Sequence, residues 1–223
     1  MTSTSFKSDI QRVCNLVRFK LRVEQRTIVA IAGPPASGKS TLAEAVVRSL
    51  NQDHSGAVPL AALLPMDGYH FDNQTLKARG LRARKGAPET FAAAAFCDAV
   101  KGLSDVRETT FYPSFDRHLD CTIAQAIAID PKTPIVIVEG NYLLLTSNPW
   151  KSLDGTFAAS VFIAPSMDTL RQRLQQRWIA HGLTPDAATE RAEANDLRDA
   201  KLVLDESRCA DLFLSPDRDE TGC

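Results

Sequence analysis

At 223 residues, 44% hydrophobic and 24% charged, the chain can bury a full core and needs no disulfide or metal staple. A formal net charge of −1 excludes the broad basic excess that would make nucleic acid or an anionic membrane the main partner, so any positive chemistry must be local. Cys14, Cys97, Cys121, Cys209 and Cys223 include no CxxC pair; this excludes zinc-site and redox-pair spacing and fits reduced thiols. The polar start Met1–Phe6 and the lack of any apolar run near the ~20 residues of a membrane span predict a cytoplasmic protein with no signal peptide.

Phe6, Ile10, Val13, Val17 and Leu21 recur at helical spacing and predict an amphipathic helix over about 6–24. Thr27–Ala32 (TIVAIA) is a short β-branched run, the mark of a strand buried on both faces. GPPASGKS follows, then a helix from Lys39 to about Leu50. Val58–Pro65 is a second apolar run that ends at Met66-Asp67-Gly68, and Pro88–Leu103 reads as a helix opened by proline and closed near Gly102. Ile135–Val138 is a third strand, ending at Glu139-Gly140. Ser160–Ala164 is a fourth, leading into a basic helix over about 166–180. His181-Gly182 stops that helix, Thr184-Pro185-Asp186 starts another, and Ala210–Leu214 is a last short strand. Strands alternating with helices predict an α/β fold, a parallel sheet covered on both sides. One domain is expected over 1–223, with Gly182 as a hinge in a lid at about 170–198.

Gly33-Pro34-Pro35-Ala36-Ser37-Gly38-Lys39-Ser40 matches GxxxxGK[ST] between a buried strand and a helix, the context such a loop needs. Its glycines let backbone N–H groups converge on one anion, from Gly33 through Ala36, Ser37 and Gly38, with Pro34, which has no N–H to give, setting the turn between them. Lys39 brings a point charge to the β- and γ-phosphates, Ser40 offers a hydroxyl to Mg²⁺, and Thr41 continues into the helix whose N-terminus favours phosphate. ATP with Mg²⁺ is the expected ligand.

In an open parallel sheet, ligands bind beyond the carboxyl ends of the strands. Asp67 and Glu139 both stand at such ends. Phosphoryl transfer needs an acid near the metal and a group that accepts the proton of the attacking hydroxyl. Glu139 suits the metal role, together with Ser40, and Asp67 suits the base role.

The P-loop, Asp67-Gly68-Tyr69-His70 and Glu139-Gly140 resemble the uridine kinase, phosphoribulokinase and bacterial pantothenate kinase group of P-loop kinases. MDGYHFDN, RKGAPETF, YPSFDR, VEGNYLLL and the RLxxRW of Arg173–Trp178 resemble the branch of bacterial proteins that carry the label fructose transport system kinase. The likeness runs from about Thr27 to Leu214. It implies a nucleoside-kinase-like P-loop fold with a parallel five-stranded core and a helical lid, with Asp67 as base and Glu139 at the metal. At position 199 the resemblance leads to an expected asparagine, where this chain has Asp199.

Lys77, Arg79, Arg82, Arg84 and Lys85 put five positive charges in nine residues; Arg84 and Lys85 are the candidates to reach the acceptor. Arg171, Arg173 and Arg177 lie on the helix before Gly182, and Arg173 and Arg177 share a face from which a closing lid would lay charge on the phosphates and exclude water. Tyr69, His70, Asp116 and Arg117 are candidate contacts for a polyol acceptor, since together they both donate and accept. The expected reaction is transfer of a phosphoryl group from ATP to a hydroxyl of a sugar, nucleoside or pantothenate-like small molecule, with a homodimer unsurprising. A non-catalytic nucleotide-binding adaptor or a regulatory ATPase is the alternative. The absence of an NKxD segment argues against a GTPase, and an acid at position 67 argues against a phosphate acceptor.

Overall fold

The computed structural model describes residues 3–22, 25–52 and 54–215; residues 23 and 24 of the expected N-terminal helix, and Cys223, lie outside them. In chain order the elements are α1 (Ser3–Lys20), β1 (Thr27–Ala32), α2 (Lys39–Asn51), β2 (Ala61–Pro65), α3 (Asn73–Ala78), α4 (Ala93–Gly102), β3 (Thr110–Asp116) and β4 (Cys121–Ile129). They continue with β5 (Ile135–Gly140), β6 (Ala159–Ile163), α5 (Met167–Ala180), α6 (Pro185–Arg191), α7 (Leu197–Glu206) and β7 (Leu212–Leu214). A π-helical turn, Ala192–Asp196, joins α6 to α7.

The five strands expected from sequence form one parallel sheet in the order β2-β5-β1-β6-β7. Its central strands bury both faces, as their unbroken apolar runs require. Ile28, Ala30, Ala32, Val136 and Val138 face a core shared with Phe96, Tyr142 and Trp150. Val29, Ile31, Ile135 and Ile137 face the opposite core, filled by Val13 and Val17 of α1 and by Leu42, Val46 and Leu50 of α2. Leu170 and Leu174 of α5 make a third cluster with Ala192, Leu197 and Ala200, so α5, the π turn and α7 share a small core. Among the described residues no helix is long and apolar enough to cross a membrane.

Two expectations change. The helix read over Pro88–Leu103 starts at Ala93, because Pro88–Thr90 is a 3-10 turn and extended Phe91 bridges to His70. Thr90 drives the difference: its hydroxyl donates to Ala87 O at 2.7 Å and accepts from the Gly86 N–H at 3.0 Å, an alternative to helical pairing. The second change is an antiparallel hairpin of β3 and β4 that the sequence reading left without structure. The hairpin crosses the turn that carries Asp67: a Cβ on Gly68 would lie 2.2 Å from Pro113 O, so only glycine admits the crossing.

Candidate active site

The loop after β1 turns onto α2 through Gly38, whose φ of 93° is left-handed and suits glycine. Lys39, the first residue of α2, donates from Nζ to Pro34 O at a long 3.5 Å. Burial lowers its pKa, and the nearby Glu139 and Asp67 pull it back up. Glu139 is 4% exposed at the end of β5, and burial pushes its carboxyl up to about 7 against the pull of Lys39. The Ser40 hydroxyl lies 3.2 Å from each Glu139 oxygen. This hydroxyl and carboxylate form an all-oxygen set suited to a hard cation such as Mg²⁺, which keeps waters and phosphate oxygens for its remaining positions. Ser37 Oγ is buried in the loop without a partner among the described residues, as is Asn141 Oδ1 two residues beyond Glu139. Unpaired buried oxygens of this kind fit a site that a polar ligand completes.

Asp67 stands in the 3-10 turn Met66–Tyr69 that follows β2. Arg117 Nη2 donates to its Oδ2 at 3.2 Å. No hydrogen bond to Oδ1 is found among the described residues. Asp67, Lys39, Ser40, Thr41 and Arg117 share one cavity of about 1020 Å³ with His70, Lys85, Asp120, Asn141, Arg173 and Arg177. The cavity lies where β1, β2 and β5 end; Asp67 lines it, while Glu139 is buried behind Ser40 and is not part of its wall.

The lid arginines divide. Arg173 Nη1 donates to Ala36 O at 3.2 Å and to Ser37 O at 3.3 Å, so it sits on the phosphate loop itself. Arg177 opens into the cavity; the protein around it and then Arg117 lower its pKa, while Asp196 and Asp67 oppose them. Arg171 pairs with the exposed Asp168 at 2.9 Å and lies outside the cavity. Trp178 packs rather than standing free: its indole N–H donates to Asp196 at 2.7 Å and Arg191 lies over its ring at 4.9 Å.

Of the residues proposed for the acceptor, His70, Lys85 and Arg117 line the cavity. Tyr69, Asp116 and Arg84 do not. Tyr69 packs edge-on against Phe96, and the Asp116 carboxylate caps the N–H groups of His118 and Leu119. Arg84 turns to Asp199 at 3.0 Å. His70 donates from Nδ1 to Asp67 O at 2.8 Å, and burial lowers its pKa, so the ring is neutral with Nε2 left as an acceptor.

Sequence reasoning missed Asp120, which sits at the hairpin turn with a φ of 51°. It accepts from Lys85 at 2.7 Å, Asn73 at 2.9 Å and Arg82 at 3.1 Å. Burial pushes its carboxyl up, but the bonds from Lys85 and Asn73 outweigh it and the pKa ends low. Asp196 and Arg191 also line the cavity. The signal for Asp120 was its position after YPSFDR, in a hairpin that the sequence reading did not see.

No family model matches the chain. It is 37% identical over 191 residues to the Escherichia coli protein called "Uncharacterized protein YggC", covering 86% of this chain and 78% of that one. It is 32% identical over 193 residues to "Putative uridine kinase C227.14" of Schizosaccharomyces pombe, covering 82% and 80%. Pantothenate kinases also match, and the chain spans about half of their length. Among solved structures, a "putative fructose transport system kinase" from Silicibacter sp. TM1040 superposes with a TM-score of 0.82 at 39% identity, over 92% of this chain and 98% of that one.

Proposed function

The chain belongs to the P-loop kinases of the uridine kinase and pantothenate kinase group, and from that premise we propose that it transfers the γ-phosphoryl group of ATP to a hydroxyl of a small metabolite. The observation that carries this reading is the meeting of Asp67 with Lys39, Ser40 and the P-loop in one cavity, where one Asp67 oxygen is held by Arg117 and the other is left to take a proton. A nucleotide-binding adaptor would have no use for that carboxylate.

In the proposed reaction, Lys39 and the N–H groups of the loop hold the β- and γ-phosphates. Ser40 and Glu139 would hold Mg²⁺, which when bound would offset phosphate charge. Asp67 takes the proton as the acceptor oxygen bonds to the γ-phosphorus and the bond from that phosphorus to the β–γ bridging oxygen breaks, so ADP leaves. Arg173 and Arg177 stabilise the charge that spreads over the transferred group and, with the lid, keep out water. His70, Lys85 and Arg117 would contact the acceptor, a sugar or sugar-like polyol, a nucleoside or a pantothenate-like alcohol.

The test is ADP release with Mg-ATP against a panel of sugars, nucleosides, pantothenate and nucleoside monophosphates. One hydroxyl compound should stimulate release. Asp67→Asn should lower that turnover by about 10² or more while ATP affinity stays nearly intact. Full activity in Asp67→Asn would refute the base assignment, and tight ATP binding without stimulation would favour the adaptor.

A further inference from the structure

The segment 82–86 is held by local bonds, among them Gly86 N–H to Thr90 and Arg84 to Glu89 at 3.4 Å, and also by four bonds to residues 191–199. Arg84 turns away from the cavity, donating from Nη2 to Asp199 Oδ1 at 3.0 Å and from Nη1 to Asn195 Oδ1. Asn195 Nδ2 in turn donates to Lys85 O at 3.2 Å, and Arg191 Nη1 donates to Ala83 O at 2.8 Å. These three partners lie on the continuous helical stretch from the end of α6, through the π turn, into α7. Asn195 and Asp199 are 1% and 2% exposed, so both depend on the partners they have.

The connections extend in both directions. Lys85 Nζ reaches Asn73 Oδ1 at 2.9 Å and Asp120 Oδ1 at 2.7 Å, which ties the segment to α3 and the hairpin wall. On the far side, α5 packs on α7 and the π turn through Leu170, Leu174, Ala192, Leu197 and Ala200, and its Arg173 holds the carbonyls of the P-loop. An unbroken series of contacts therefore leads from the nucleotide loop, through the lid core, to the cation at the acceptor end.

Resting on the kinase reading above, we infer that Arg84, with Asp199 and Asn195, is a positioning device that makes the lid and the segment 82–86 one moving unit. Capture of nucleotide under the lid then sets Lys85 in place for the acceptor. Arg84 itself touches neither ligand. This also accounts for Asp199, where the family resemblance leads to asparagine: a charge opposite Arg84 strengthens the tie.

Hydrogen exchange of the full chain, with and without Mg²⁺ and β,γ-imido ATP, tests the inference. In the native protein the nucleotide should slow exchange in 33–42 and 167–206, and also in 82–87, by about tenfold. In Arg84→Ala and Asp199→Ala, protection of 33–42 and 167–180 should persist while that of 82–87 is lost, and Arg84→Lys should restore part of it. Arg84 is 29% exposed, so its variant makes the same cut even if Asp199→Ala fails to fold. Protection of 33–42 without 82–87 in the native protein, or equal protection of 82–87 in the alanine variants, would overturn the inference and leave the kinase reading standing. No protection anywhere, 33–42 included, would overturn both.

Discussion

Asp199→Asn should make the protein more stable at neutral pH, although it removes one half of an ion pair. The Asp199 carboxyl is 2% exposed, and burial raises its pKa from 3.8 to about 6 even though Arg84 pulls the other way. A carboxyl raised on folding contributes its full stability below pH 3.8 and loses it as pH climbs through about 6. A rise of about two pH units corresponds to about 3 kcal/mol at most, so the charged form works against folding at pH 7. Asparagine keeps the volume and an oxygen for Arg84 while removing the charge. The variant should therefore gain about 1–3 kcal/mol at neutral pH, and the gain should vanish as pH falls towards about 4. Urea unfolding followed by the fluorescence of the buried Trp150, repeated across that range, measures it. A loss of stability at neutral pH, or a gain that ignores pH, would mean that attraction to Arg84 outweighs burial and would refute the reasoning. The stability gained should coincide with a weaker tie between lid and acceptor segment, a trade expected where a site keeps a charge that its fold disfavours.

Glu139→Gln keeps the volume beside Ser40 but halves the oxygens open to a cation; Mg-ATP turnover should fall about 10²-fold while metal-free ATP binds as well or better, and an unchanged Mg²⁺ titration would remove Glu139 from the metal role. Away from the cavity, the Arg26 guanidinium donates to the carbonyls of Leu103, Asp130, Pro131 and Thr133 at 2.8–3.0 Å. Arg26→Ala should cost about 2–4 kcal/mol in a urea titration, and a loss under about 1 kcal/mol would show that water replaces those bonds freely.

The sheet was legible because its strands are buried on both faces: TIVAIA and IVIVEG need no partner to be recognised, and each ends where a ligand must bind. The break between α5 and α6 was equally plain, since Gly182 has a φ of 91° and the Thr184 hydroxyl caps the next helix by accepting from Ala187 at 3.3 Å, both local devices. What stayed hidden depends on contacts distant in sequence. Nothing near Arg84 announces Asp199 or Asn195, more than a hundred residues on, and the charge cluster around Arg84 reads the same whether a residue faces the cavity or the lid.

The hairpin shows why part of the cavity wall escaped. Its second strand, CTIAQAIAI, alternates isoleucine with alanine, a period of two that could have been read as a strand. Yet alanine is a weak strand former, Gln125 takes a left-handed φ of 54°, and Ile123 remains 39% exposed, so no buried run marks the segment. The strand gains its place from pairing with β3, from Ile129 at its end, which is buried in the main core, and from Thr122, whose hydroxyl donates to His70 O at 3.2 Å. Asp120 and Arg117 owe their positions to that pairing, and through Arg117 so does the free oxygen of Asp67. The carboxylate that a strand-end rule finds from sequence is thus oriented by an element that the same rule cannot see. For that reason the turn 117–120, more than the P-loop, is where relatives with different acceptors should differ.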